Sequence, residues 1–494
     1  MKSKIKGWLL PTLAIVLTCL FPCLFFYFQN AGEASLHEIL PVLALFLGCA
    51  ALLCAGCWLL LRDAARAAIL TIAAMLVGMN FTGIGRMFQR ITLAVPLRVL
   101  LLALVLLLAA IALLLYKKKP DMRPICRIAV ITFAGLIAVN FALNAGTIIR
   151  KLSYRPKASA GETGWTFTKQ DTPNVYFLIF DEYSGQNCLK HYFDDGNETF
   201  LNALETCGFS VSNDSYNPES VHTDTLIPNL LNLDYVVNDG MEIAMRLEHL
   251  RQPALYRIFE ENGYQVNLVN HYDFLKEDGV TVLYSSGKET VTDIALKNSI
   301  FGQFSFCDRL LEWLKGGSRG KKQTGRVEAD NILSALDAAA NSWRSAQGQK
   351  TFTICYFQLP HTGFYFREDG SLLPEDAVND WMDKSNYLGQ LRFTNHKIEE
   401  IVGQIQAHDP QAVIVLQSDH GARYACKYAQ TYQLNVDYAT ESPYMCNILN
   451  CVYAGGEKLS ISGLTGINTW VEILNTVFGT QLAPRAVPDF TSSQ

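Results

Sequence analysis

The sequence predicts two parts: an all-α, five-helix transmembrane region, then an α/β domain whose central sheet is flanked by helices. Three observations lead there. Hydrophobic residues make up 50% of the 494, yet they crowd into the part before residue 150 and leave the rest with an ordinary soluble composition. In that remainder short aliphatic runs alternate with amphipathic segments, as in α/β folds. Polar residues of ligand type stand directly behind several of the runs, where open α/β sheets bind ligands. The net charge of −5 has the wrong sign and size for electrostatic binding of nucleic acid, and so apolar a chain is not disordered.

Residues 7–28, 39–61, 67–85, 99–116 and 128–145 each supply the roughly 20 apolar positions that a bilayer core demands. Lys2, Lys4 and Lys6 before the first give it the look of a signal peptide. No small-residue cleavage site follows, and four more spans do, so an uncleaved anchor is expected. The third span is the weakest, with Gly78, Asn80 and Gly83 inside it. The amino terminus and the loops 62–66 and 117–127 are basic, whereas 29–38 carries Glu33 and Glu38 without Lys or Arg. By the positive-inside rule the amino terminus is cytoplasmic and everything after residue 145 lies outside, although Arg86, Arg90 and Arg98 run against that alternation. The expectation is a multi-pass plasma-membrane protein: 1–149 transmembrane, 150–173 a polar linker, 174–494 an extracytoplasmic soluble domain.

Within that domain, strands are expected at 175–180, 265–269, 352–357, 412–416 and 446–451, and helices at 199–207, 253–262, 327–346 and 381–407. No internal repeat is present. The loop KGGSRGKKQTG at 315–325 reads as a solvated segment, or as a contact for anionic lipid heads. Of the 13 cysteines, none forms a CxxC pattern, and Cys355, Cys446 and Cys451 sit in apolar runs as buried thiols.

The chemistry starts at QAVIVLQSDHGAR, residues 411–423. A buried strand breaks into Asp419-His420-Gly421, a carboxylate and an imidazole that suit Zn²⁺ or Mn²⁺ better than Ca²⁺, with a glycine that eases a sharp turn. The first strand ends likewise in Asp181-Glu182. Either acid can serve as a ligand, and Asp181 is the first choice. Thr223 stands just before a leucine-rich helix, where a nearby metal and the helix end would both activate its hydroxyl. It could equally be a plain helix cap, as could Thr225. The strand 352–357 runs into Pro360-His361-Thr362, where His361 can donate to a leaving group or a phosphoryl oxygen. His271, behind another strand, is read as structural.

The order NVYFLIFDE, Thr before LLNLDY, PHTGF and LQSDHG resembles the sulfatase-like part of the alkaline phosphatase superfamily, from Asn174 to the carboxyl end. Five spans followed by an external domain look like lipoteichoic acid synthase and related phosphoglycerol or phosphoethanolamine transferases. The resemblance implies one Mn²⁺ or Zn²⁺ held by Asp181, Thr223, Asp419 and His420, with Thr223 as nucleophile and His361 on the substrate phosphate. It also implies a phospholipid donor and an envelope glycan or polymer acceptor.

Two departures shape the expectation. No CxPSR-type motif for formylglycine is present, which counts against sulfate hydrolysis, and no second Asp-and-His set for a second metal is found. The expected activity is a single-metal phosphotransferase working through phospho-threonine. The alternatives are a phosphate- or sulfate-ester hydrolase and a non-catalytic membrane scaffold.

Overall fold

The structure is a computed structural model. It describes residues 2–31, 36–91, 97–155, 165–218, 220–271, 274–275, 279–286, 291–303, 325–346 and 348–488. The basic loop at 315–325, apart from Gly325, and Cys307 lie outside the described residues. The chain forms two compact units, Met1–Tyr154 with Glu289–Gly320, and Arg155–Lys288 with Lys321–Gln494.

In the first unit, helices α1 (Lys2–Gln29), α2 (Leu40–Leu61), α5 (Leu97–Lys118) and α6 (Arg123–Ser153) form, and four helical stretches there are long and apolar enough to cross a membrane. The third expected span is broken. Helix α3 (Ala64–Met79) meets α4 (Phe81–Ile91) at Asn80, with a bend of 66°. The Asn80 side chain donates to Leu76 O at 2.9 Å, a local bond that competes with the helix ladder. Counted as one, the bent pair makes a fifth candidate span. Small residues such as Ala14, Ala67 and Ala68 are wholly buried between helices, which lets backbones approach closely. Large ones such as Leu52 and Leu143 face outward. A short helix, α12 (Val291–Asn298), joins this unit although its sequence lies inside the α/β domain; Val291, Ala295 and Leu296 share the core of α1 and α2.

The second unit is built on a seven-stranded sheet of order β2-β7-β6-β1-β5-β3-β4. Strands β1 (Val175–Phe180), β3 (Gln265–Asn270), β5 (Thr351–Phe357) and β6 (Val413–Ser418) form where the aliphatic runs predict. All of β1, β5 and β6 is buried, so no alternation of polar residues shows in them. Tyr176, Leu178 and Phe180 pack on one face with Ile414 and Leu416. Val175, Phe177 and Ile179 pack on the other with Trp470; Phe177 meets Trp470 edge-on at 4.8 Å.

One strand is displaced. Cys446, Ile448 and Leu449 are buried in the core, but Asn447 and Ile448 make only isolated bridges, to Tyr216 and Ser184. The strand proper is β7 (Asn450–Ala454), antiparallel to β6. The edge strands β2 (Ser210–Ser212) and β4 (Thr281–Ser285) are too short or too exposed to announce themselves. Helices at Glu198–Thr206, Ala254–Glu261, Gly325–Ala340 and Lys384–His408 match the expected ones to within a few residues, and the short 3₁₀ turn Ser342–Ala346 takes the end of the third.

Candidate active site

Strand β1 lies between β5 and β6 in parallel register, with Phe180 opposite both Phe357 and Ser418. Asp181, Gln358 and Asp419 therefore leave the sheet at one level. Glu182 takes φ 61°, a left-handed turn that sends two consecutive carboxylates to different neighbours.

Asp181, Asp419 and His420 come together, each buried, with their ligand atoms within 4.8 Å of one another. Asp419 Oδ1 accepts from the backbone N–H groups of Glu182 at 3.0 Å and His420 at 2.8 Å. Among the described residues its other oxygen, Oδ2, has no hydrogen-bond partner, and neither has His420 Nε2. His420 Nδ1 faces Gly421 O at 2.8 Å. A carbonyl only accepts, so Nδ1 carries a hydrogen, and in the neutral tautomer Nε2 presents a lone pair. That lone pair stands 3.5 Å from Asp419 Oδ2 and 3.8 Å from Asp181 Oδ1, beyond hydrogen-bond reach. Two ligand atoms on one tetrahedral ion with ~2.1 Å bonds would be roughly 3.4 Å apart. Buried electron-pair donors facing one another with no hydrogen between them fit a divalent cation.

Burial, and then the charge of Asp419, push the Asp181 carboxyl above its ordinary range. A hydrogen bond from Tyr356 Oη to Asp181 Oδ2, 2.6 Å long, works the other way. Gly421 is needed for space. A Cβ there would lie 2.6 Å from Asn447 O and 3.1 Å from Met445 O, and its φ is not positive, so close backbone approach explains this glycine better than a sharp turn does.

Thr223 is the first residue of α9 (Thr223–Asn232), behind an extended His222. Its hydroxyl points at Asp181 Oδ1 at 3.4 Å and makes no cap, while Thr225 Oγ1 turns to Asp239 at 2.5 Å. A helix N-terminus gathers partial positive charge at such a position. Helix α9 continues through Pro228. Its first turn is braced by a network around Asp239, which takes hydrogen bonds from Ser220, Thr225 and Arg246.

Glu182 faces the other way. Arg423 grips it with Nε to Oε1 at 3.1 Å, Nη2 to Oε2 at 3.3 Å and its own backbone N–H to Oε1 at 2.9 Å. Burial alone would raise this carboxyl, but the guanidinium outweighs burial and holds it at about 2. The same Nη2 lies 2.8 Å from His361 Nε2. Arginine only donates, so Nε2 accepts, and Nδ1 of His361 bonds Thr362 O. His271 sits where a structural role puts it: its Nδ1 accepts from Gln358 N at 3.2 Å and its ring is buried beside Glu328.

The five expected site residues thus gather on one rim, Asp181, Asp419, His420 and Thr223 around one point and His361 beside them. The sequence reading passed over Arg423, Tyr356 and Asp239. Arg423 alone gave a signal, a cation two residues beyond Gly421.

Residues 174–446 match the sequence profile of the Sulfatase family, more than half of the chain. The chain belongs to the Sulfatase family. This places the domain in the alkaline phosphatase superfamily. Among curated proteins none matches. Similar solved structures include the periplasmic domain of EptC from Escherichia coli in complex with Zn, with 12% identity over 64% of this chain and 85% of that one, TM-score 0.41. Another is the lipoteichoic acid synthase LtaP from Listeria monocytogenes, with 12% identity over 69% and 80%, TM-score 0.38. A third is the phosphonate monoester hydrolase of Agrobacterium radiobacter, with 11% identity over 63% and 74%, TM-score 0.36.

Proposed function

We propose that this Sulfatase-family protein is a membrane-anchored transferase. It moves a phospho-substituent of phosphoglycerol or phosphoethanolamine type from a phospholipid to an envelope glycan or polymer, through phospho-Thr223. One observation carries the reading: the Thr223 hydroxyl, at a helix N-terminus, is aimed at Asp181 beside buried donor atoms of Asp419 and His420 that have no partner of their own. A single Mn²⁺ or Zn²⁺ held by Asp181, Thr223, Asp419 and His420 would lower the pKa of the hydroxyl and offset charge on the phosphoryl group.

In the first displacement Thr223 Oγ1 bonds to phosphorus, the bond from phosphorus to the lipid alcohol breaks, and the Oγ1 proton, passed by way of Asp181, leaves on the lipid alcohol. In the second, an acceptor hydroxyl attacks phosphorus, the bond to Oγ1 breaks and the acceptor's proton returns to Oγ1, giving ping-pong kinetics. His361, next to Arg423, would hold phosphoryl oxygens or protonate the leaving group. The basic amino terminus and the basic loops at 62–66 and 117–127, with the bent pair counted as a fifth span, support an external catalytic domain in the plasma membrane.

Intact-mass measurement of the full-length protein with Mn²⁺ and a bacterial phospholipid extract tests this. A mass gain that vanishes in Thr223→Ala is expected, and its size identifies the transferred group. Head group released without any adduct or acceptor would favour a hydrolase, and neither adduct nor release would favour a scaffold.

A further inference from the structure

Arg423 is placed for more than packing. Its guanidinium is fixed on one edge by a carboxylate that is wholly buried, and the arginine itself keeps 19% of its side-chain surface exposed. Nε and Nη2 are used by Glu182 and His361, while Nη1 has no hydrogen bond among the described residues. The backbone N–H of Arg423 is tied to the same carboxylate, so the side chain is held from both ends. A buried ion pair gives little net stability, because desolvation offsets the attraction. Two more carboxylates, Asp181 and Asp419, lie close enough for their charges to act on this guanidinium. With one divalent ion bound, three carboxylates are balanced by the metal and Arg423 together, and the site carries no net charge.

We propose that Arg423 is the anion-binding group of this site, and that Glu182 is its holder rather than a metal ligand. Glu182 cancels the charge of the guanidinium and keeps the metal-loaded site without net charge, so that it takes a singly charged phosphate diester in preference to a doubly charged monoester. This rests on the transferase reading above for its substrate class. His361, whose Nε2 accepts from Arg423, acts beside it: an ester oxygen entering between them takes up hydrogen bonds from the guanidinium, and the imidazole is freed to turn toward it.

The test uses the full-length, Mn²⁺-loaded protein in detergent, with calorimetric binding of dimethyl phosphate (one charge) and methyl phosphate (two charges at pH 8). Wild type is expected to bind dimethyl phosphate at least as well as methyl phosphate. Glu182→Gln should shift the preference toward methyl phosphate by about tenfold, and Arg423→Gln should weaken both anions about 10- to 100-fold. Because Arg423→Gln leaves a buried carboxylate unpaired, the double variant Glu182→Gln, Arg423→Gln serves as the folded control. It should keep its metal, by elemental analysis, and still lose anion affinity. In Glu182→Gln, a role in packing alone would change both anions by one factor.

Undiminished dimethyl phosphate binding in the double variant would overturn the proposal, and so would metal loss, or equal shifts for the two anions, in Glu182→Gln. Arg423-dependent binding in a wild type that forms no Thr223 adduct would overturn the transferase reading and leave this one standing. An adduct with anion binding unchanged in every variant would do the reverse.

Discussion

Two carboxylates leave β1 one after the other and meet opposite surroundings. Asp181 joins Asp419 and His420, where Asp419 Oδ2 and His420 Nε2 have no partner. Glu182, equally buried, has both oxygens gripped by Arg423. One corner is electronically incomplete and the other closed. The difference separates atoms that could hold an ion from atoms that hold a side chain in place, a distinction that residue type alone does not make. It also predicts where substitutions will cost function and where they will cost stability.

The largest effect is expected on the open corner. Asp419→Ala removes both the oxygen facing His420 and the acceptor of two backbone amides. Bound metal and Thr223 adduct formation should fall together, the latter by on the order of 10³-fold or more. Asp419→Asn keeps an acceptor for the two amides, so it should lose metal while staying folded. Full activity in Asp419→Ala, measured with metal content in the same preparation, would remove the basis for the mechanism.

The closed corner should show itself in acid. In metal-free protein Glu182 is held at about 2 against an ordinary 4.5. Its contribution is therefore complete above pH 4.5 and disappears as the pH falls through about 2. Asp181 has the opposite sign: its carboxyl is raised, so it favours the fold most below its ordinary value of 3.8 and less as the pH rises through the raised one. Urea midpoints of metal-free wild type and Glu182→Gln between pH 2 and pH 8 separate the two. An acid loss in Glu182→Gln as steep as in wild type would show that the closed corner lies elsewhere.

Legibility in the sequence follows the range of the interaction. Asp181 and Asp419 could be picked out because a fully buried strand ending in an acid is a local signal, as was the weak third span with Gly78, Asn80 and Gly83. The Glu182–Arg423 pair spans 241 positions, and nothing local marks either residue as the other's partner. Thr223 was reached through its spacing to a leucine-rich helix, which cannot show that the hydroxyl turns to Asp181. The start of β7 was misplaced because an apolar run reports burial, and residues 446–449 are buried without joining the ladder.

The smallest expected effect lies between the corners, at Tyr356. It stands within β5, where the sequence reads as core, yet its hydroxyl donates to Asp181 Oδ2 at 2.6 Å. That bond leaves Oδ1, the oxygen facing Thr223 and His420, as the one turned to the open corner. Groups that orient a metal ligand from behind commonly set metal affinity by 10- to 100-fold. Tyr356→Phe keeps the ring and its packing and removes only the hydroxyl, so metal affinity should weaken by about tenfold, with adduct formation recovered at saturating metal. Recovery is the informative part. It would mean that Tyr356 acts on how Asp181 is presented and leaves Thr223 untouched, whereas a deficit that persists at saturating metal would place the hydroxyl in the transfer step itself.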